Sequence, residues 1–396
     1  MVFHASCACC DCLERTLVVS CICIFSALYL PNMGGVERFT DSLAAELAAE
    51  GHSVIVVTNN THGLSNREVL DNGVEVIRFP CKNLIDGRYP VPIKNSCYRS
   101  LMADLESRHV DGVLVNTRFY LHSLIGVQFA ENKGLRAVVL DHGSAYLTLG
   151  SKPLDWVIER YEDGITAWLK SRAVDFYGIS KKSVEWLAHF GIEAKGVISN
   201  AIDAEAYRAQ ASGRRFREEL GIDQPVLLVS FVGRLVVEKG IRPLLEAMNG
   251  LQNESIHLAV AGEGPLKDEI KACGLPNVHM LGRLDSPDVA ALLADSDVLC
   301  LPTRSEGFAT TLLEAAACGT PCLISNVGGA KELIPSSGYG FVEDDVTPDV
   351  IALILRSCVK GTVDLETMGR LSQLRVEKYY SWGYSARLVL EALTDV

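Results

Sequence analysis

The stretch "PNMGGVERFTDSLAAELAAEGHSVIVVTNN", Pro31 to Asn60, constrains the fold more than any other. It follows a short apolar run, Cys21 to Ala27, that reads as a buried strand. Gly34 and Gly35 open a helix whose apolar residues Val36, Phe39, Leu43 and Leu47 recur at helical spacing. Gly51 closes that helix in a left-handed cap. Val54 to Thr58 is then a second short, β-branched strand. Strand, helix and strand in that order make a βαβ unit, and such units build parallel sheets.

The pattern recurs through the chain. Further strands are expected at Gly73 to Arg78, Gly112 to Asn116, Ala137 to Asp141 and Val174 to Gly178. The second half repeats it more cleanly, at Val226 to Val232, His257 to Ala261, Val278 to Leu281, Val298 to Pro302 and Pro321 to Ser325. The charged stretch Ala204 to Asp223 reads as a weakly structured linker. A chain of 396 residues is long for one core and suits two. The expected architecture is α/β, with two Rossmann-like, doubly wound domains facing a cleft. Ligands of such sheets bind beyond the carboxyl ends of the strands.

Composition narrows the function. Apolar residues make up 48% and charged residues 22%, as in ordinary soluble proteins. A net charge of −12 argues against nucleic-acid partners, which need a basic face, yet leaves room for a small basic pocket around one phosphorylated ligand. Of thirteen cysteines, Cys7, Cys9, Cys10, Cys12, Cys21 and Cys23 crowd the start without zinc-ligand spacing. The others sit singly in apolar segments as small core residues, so a reducing cytoplasm is expected. The run "LVVSCICIFSALYL", Leu17 to Leu30, is too short to span a bilayer, which takes about 20 apolar residues. It also lacks the basic flank of a signal peptide. Residues 1–15 read as an extension ahead of the first strand.

The strand ends carry the chemistry. In "FVGRLVVEKG", Phe231 to Gly240, the apolar run stops at Gly233 and two cations follow, Arg234 and Lys239. In "LCLPTRSEGFATTLLEAAACGTPCLIS" a strand gives way to a polar turn and then to a helix from about Thr310 to Cys318, stopped by Gly319 and Pro321. Glu306 and Glu314 lie eight residues apart, and eight helical residues cover about 12 Å, roughly from a ribose to a sugar across a diphosphate. The intervening helix N-terminus would offer N–H groups to phosphate. Glu314 sits in "LLEAAA", where a bare carboxylate is costly. His142 stands at a strand end before Gly143. Asp295 and Asp297 form a D-x-D pair read as a helix end and a strand start. "AGEGPLK" is a weak dinucleotide signal, because Lys267 occupies the place of the third glycine.

Together these stretches resemble the retaining, GT-B-fold glycosyltransferases of the group 1, or family 4, type, related to bacterial polysaccharide and lipid glycosyltransferases. From about Ser26 onward the resemblance rests on "GGVERF", "LAAELAAEGHSVIVVT", "DHG", "GISKKSVEWL", "FVGRLVVEKG", "AGEGPL", "EGFATTLLEAAACGTPCLIS" and "GGAKELI", the last six in the family's order and spacing. It implies an acceptor domain at 16–203, a donor domain at 204–375 and a C-terminal helix, 376–396, crossing back to the first. By this resemblance Arg234 and Lys239 meet the donor diphosphate, Glu306 the donor sugar and Glu314 the ribose. Gly307, Phe308, Ala309 and Thr310 form the loop and helix start at sugar and phosphate. Gly34 and Gly35 form a glycine loop near the diphosphate, and His142 lies near the reacting sugar.

Two departures stand out, Ala309 where the family has the last glycine of "EGFG", and Ala201 in "NAID". The activity implied is transfer of a hexose-type sugar from a UDP- or GDP-sugar to a glycan or lipid-linked acceptor, with retention and without a bound metal or other cofactor. A cytoplasmic enzyme is expected, with peripheral contact at the inner membrane face compatible with this reading. The rival readings are a UDP-sugar 2-epimerase and a catalytically inactive protein that binds a nucleotide or glycan.

Overall fold

The computed structural model describes residues 20–85, 87–147, 151–222, 225–304 and 306–394. The expectations placed on residues 1–15 and on Cys7, Cys9, Cys10 and Cys12 lie outside the described residues.

The first half forms strands β1 (Cys21–Ser26), β2 (Ser53–Asn59), β3 (Arg67–Val69), β4 (Glu75–Phe79), β5 (Cys81–Leu84), β6 (Tyr89–Pro92), β7 (Gly112–Asn116), β8 (Ala137–Asp141), β9 (Val174–Gly178) and β10 (Gly196–Val197). Eight of them make one sheet in the order β10-β9-β8-β7-β1-β2-β4-β3, while β5 and β6 pair as a separate hairpin. All pairings in that sheet are parallel except β3 with β4. The second half forms β11 (Leu227–Val232), β12 (Ile256–Ala261), β13 (Val278–Gly282), β14 (Val298–Leu301), β15 (Cys322–Ser325) and β16 (Gly340–Glu343). These make a parallel sheet in the order β13-β12-β11-β14-β15-β16.

The central strands are apolar throughout because helices cover both faces of a doubly wound sheet. Ile22, Cys23, Ile24 and Phe25 of β1 are each at most 1% exposed. Below them Phe39, Leu43 and Leu47 of the helix Gly35–Ala49 share a core with Ala386, Val389, Ala392 and Leu393 of the helix Trp382–Thr394. The C-terminal helix therefore returns to the first sheet. The Phe39 and Trp382 rings lie 5.8 Å apart, and Ser385 Oγ donates to the Ser199 carbonyl at 3.0 Å.

The linker expected at Ala204 to Asp223 is more ordered than its charge suggests. Its described residues hold two short helices, Ala204–Ala209, capped by Asp203, and Phe216–Leu220. Phe216 is fully buried against Ile222, Leu228, Ala291 and Leu292. Arg214 pairs with Glu219 and Asp288. One apolar anchor and matched charges order a segment that composition alone presents as solvated. The short strands β3, β5, β6, β10 and β16 were not anticipated, because two to four polar or mixed residues show no period. No described helix is long and apolar enough to cross a membrane. The nine described cysteines are free thiols, and Cys23, Cys300, Cys322 and Cys358 are buried.

Candidate active site

Each sheet has one place where the chain departs in opposite directions from adjacent strands, between β1 and β7 in the first and between β11 and β14 in the second. The crevice beyond the carboxyl ends at such a switch point is where doubly wound sheets bind ligands. Gly34 and Gly35 follow β1, Arg234 and Lys239 follow β11, and Glu306 follows β14; His142 follows β8, the neighbour of β7.

The loop leaving β11 is held by the glycines of "AGEG". Gly233 N donates to the Ala261 carbonyl at 3.0 Å and Leu235 N to that of Glu263 at 2.9 Å. Gly262 and Gly264 both have φ of +155°, and a Cβ would stand 1.9 Å from Gly233 O and 2.5 Å from Leu235 O respectively. The G-x-G pair is thus the backing that seats Arg234, whose guanidinium is exposed and makes no ion pair among the described residues. Lys239 ends a short 3-10 turn closed by Gly240 at φ +73°, where a Cβ would meet Pro302 O at 1.8 Å. The Glu238 carbonyl accepts from Arg304 N at 2.8 Å and from Thr303 Oγ1 at 3.2 Å. These contacts bring the Lys239 ammonium onto Glu306 Oε1 as an ion pair, both side chains about four-fifths buried.

The segment after Glu306 is a seam between the two halves. Ser144 Oγ donates to the Glu306 carbonyl at 3.0 Å and Ser180 Oγ to the Gly307 carbonyl at 2.9 Å. A Cβ on Gly307 would lie 2.1 Å from His142 O, and one on Gly328 would lie 2.1 Å from Gly307 O. Phe308 packs on Gly329 and lies 6.0 Å from the Tyr380 ring. Ala309, buried at the N-cap with φ of −76°, takes a conformation open to any residue, so its methyl group is no strain on the loop. The helix runs Thr310–Ala317. Glu306 therefore precedes it on an irregular turn, and the span to Glu314 is only partly helical.

A cavity of about 470 Å³ is lined by Gly34, Gly35 and Arg38 from the first half and by Tyr207, Thr310 and Glu314 from the second. Burial pushes the Glu314 carboxyl above its ordinary range, and the charge of Arg38 works against that rise. Gly34 and Gly35 have no forbidden backbone conformation; a Cβ at Gly35 would meet nothing within 4 Å. Arg38, Tyr207, Ser286 and Trp382, all lining this cavity, were not anticipated. Arg38 carried a signal, being one helical turn beyond Gly34 in "GGVERF".

His142 completes the seam. Its Nε2 donates to Asn116 Oδ1 at 3.2 Å, and its ring stands edge-on to Phe39 at 5.0 Å. Burial pushes the imidazole down to about 3, so the ring is neutral at neutral pH. Beside it lies a set of charges that the sequence did not reveal. Arg118 reaches Asp141 at 3.3 Å and Glu162 at 2.5 Å, and each of the three is at most 2% exposed. Burial raises both carboxyls, and the guanidinium opposes it. The D-x-D residues have structural partners instead: Asp297 pairs with Arg217 and accepts from Leu228 N at 2.7 Å, and the Asp295 carbonyl accepts from Arg217 Nε at 2.9 Å.

Residues 33–206 match the family model for Glycosyltransferase Family 4, and residues 213–373 match that for Glycosyl transferases group 1. The chain is 27% identical over 375 residues to the GDP-mannose-dependent alpha-(1-6)-phosphatidylinositol dimannoside mannosyltransferase of Mycobacterium tuberculosis, covering 92% of this chain and 93% of that one. Among solved structures it resembles sucrose-phosphate synthase from Thermosynechococcus elongatus, with a TM-score of 0.71, 18% identity and coverage of 94% and 98%. It also resembles Anabaena HepE in complex with UDP, with a TM-score of 0.69, 17% identity and coverage of 96% and 100%. These likenesses establish the two-sheet architecture as the GT-B fold.

Proposed function

The chain belongs to the group 1 glycosyltransferases of the GT-B fold, and from that premise we propose that it moves a hexose from a UDP- or GDP-sugar to an acceptor hydroxyl with retention of configuration. The observation that carries this reading is the Lys239–Glu306 ion pair at the seam against His142, beside a cavity that ends in Glu314.

In this reading the diphosphate lies along Arg234 and Lys239. Breaking the sugar–phosphate bond builds negative charge on the leaving phosphate, and fixed cations stabilise charge where it develops. Arginine suits a bidentate phosphate contact and lysine a point charge. Glu314 accepts from ribose hydroxyls and Glu306 from the sugar, once phosphate competes with Glu306 for Lys239. A neutral His142 contributes an uncharged hydrogen-bonding edge near the reacting carbon. Retention is assigned to a front-face route, in which the leaving phosphate takes the proton of the attacking acceptor hydroxyl. No metal or cofactor has a role, because the two cations carry the charge.

The acceptor is a glycan or a lipid-linked glycan, and the enzyme works in the cytoplasm, in peripheral contact with the inner membrane face. Support comes from a relative whose name specifies GDP-mannose and a phosphatidylinositol dimannoside, and from a neighbour solved with UDP.

The test is a panel of UDP- and GDP-sugars with and without added acceptors, in the presence of EDTA. Transfer is expected for the wild type, with Lys239→Ala slower by about 10²–10³-fold. Epimerised free sugar in the absence of acceptor, or nucleotide binding with no turnover on any acceptor, would overturn the proposal.

A further inference from the structure

The buried charges beside His142 have no part in the transfer as described, yet they grip the turn that carries it. Thr117, 4% exposed, has φ of +64°, a left-handed conformation that β-branched residues rarely adopt. Its N–H donates to the Leu140 carbonyl at 2.8 Å, and its own carbonyl accepts from Ser123 Oγ at 2.7 Å. Held this way, it aims its two neighbours at consecutive residues of the next loop. Asn116 meets His142 at 3.2 Å and Arg118 meets Asp141 at 3.3 Å.

Arg118 is itself fixed. Its Nη1 donates to Thr166 Oγ1 at 2.7 Å and its Nη2 to Glu162 Oε1 at 2.5 Å, both on the helix Lys152–Lys170. The guanidinium lies over the Phe190 ring at 4.0 Å. The Asp141 carboxylate and the Trp186 indole nitrogen sit beneath Gly143, 3.8 and 3.9 Å from where a Cβ would stand. Two carboxylates about one guanidinium, all but excluded from water, gain little for the fold, because desolvation offsets their attraction. Stability alone gives little reason for the set; its place gives another. Beyond Gly143, Ser144 Oγ donates to the Glu306 carbonyl at 3.0 Å, and His142 O abuts Gly307. The gripped turn is therefore the face against which the donor half closes.

We propose that Arg118 and Asp141 are positioning residues for the transfer, holding the His142–Ser144 turn in the orientation that receives the Glu306–Gly307 loop. Neither lines the cavity that ends in Glu314, so they act through His142 and the seam. The tautomer of His142 records that orientation. Asn116 Nδ2 donates to Thr40 Oγ1 at 2.8 Å, which leaves Oδ1 to accept from His142 Nε2. The proposal rests on the glycosyltransferase reading, and the experiment separates the two.

The readouts are steady-state kinetics, donor titration and NMR spectra of nitrogen-labelled histidine in the full chain, with His142 assigned through His142→Gln. Asp141→Asn and Arg118→Met are expected to lower kcat about 10²-fold, as a displacement of about 1 Å does, with donor affinity at the wild-type level. Arg118→Lys keeps the buried charge and is expected to recover part of that loss. In Asp141→Asn the His142 signal passes from one tautomer to a mixture. Buried His122, bonded to the Val57 carbonyl, keeps its wild-type signal. A set that served stability alone would lower the melting temperature and leave kcat and the His142 signal unchanged, and that result would overturn the proposal. So would movement of both histidine signals together, or equal loss of kcat in Arg118→Met and Arg118→Lys. Should Arg118→Met not fold, the near-isosteric Asp141→Asn carries the test. Absence of turnover by the wild type on every acceptor would count against the transfer reading, and the histidine spectra would then decide the positioning.

Discussion

Gly307 lies against the backbone carbonyl of His142, close enough that a Cβ would stand 2.1 Å from that oxygen. The obstacle is backbone rather than the end of a flexible side chain, so it does not give way locally. Gly307→Ala must move the loop carrying Glu306 away from the loop carrying His142. Displacement of reacting groups by about 1 Å costs on the order of 10²-fold in rate. We expect Gly307→Ala to lower kcat by that factor with the donor still bound. Steady-state kinetics beside a donor titration check it, and wild-type kcat would show the seam is not the reacting geometry.

Gly35 gives the opposite case. A Cβ there meets no protein atom, and its backbone is not left-handed, so the fold has no need of glycine. It lines the cavity that holds Glu314, so only a ligand would require the space. Gly35→Val is expected to leave the melting temperature unchanged and to weaken nucleotide-sugar binding at least about ten-fold, roughly 1.4 kcal/mol. Donor affinity equal to wild type would place the ligand elsewhere.

Buried His122 contributes to the acid limb of stability. His122, 1% exposed, donates from Nε2 to the Val57 carbonyl at 2.9 Å and is pushed down from 6.5 to about 4 by burial. The unfolded chain takes up this proton near pH 6.5 and the folded one does not until about pH 4. Stability linked to neutral His122 is therefore complete above pH 6.5 and lost progressively as pH falls to 4, by at most about 3 kcal/mol. His122→Gln, which retains a donor, should flatten that part of the urea midpoint against pH. His142, also held neutral, should leave no titration near 6.5 in the profile of kcat/KM.

Much of the fold was legible because buried parallel strands are continuous apolar runs. Gly112–Asn116, Ala137–Asp141 and Val174–Gly178 fall where the pattern places them. The linker reading failed at Phe216, because one buried ring outweighs a charged surround only once its partners, Leu228, Ala291 and Leu292, are in place. The "AGEG" glycines looked like a faint dinucleotide motif; they are the seat of the Arg234 loop.

By itself the sequence determined the alternation of strands and helices, the positions of the cations and carboxylates at strand ends, and hence the class of chemistry. Periodicity and residue type are local properties, readable along one chain. Tertiary structure alone decided that Lys239 meets Glu306, that Arg38 faces Glu314, and that Arg118 joins Asp141 to Glu162. Each is a contact between segments distant in sequence, and its energy exists only after two sheets and their loops have closed on one another. No period records such a contact.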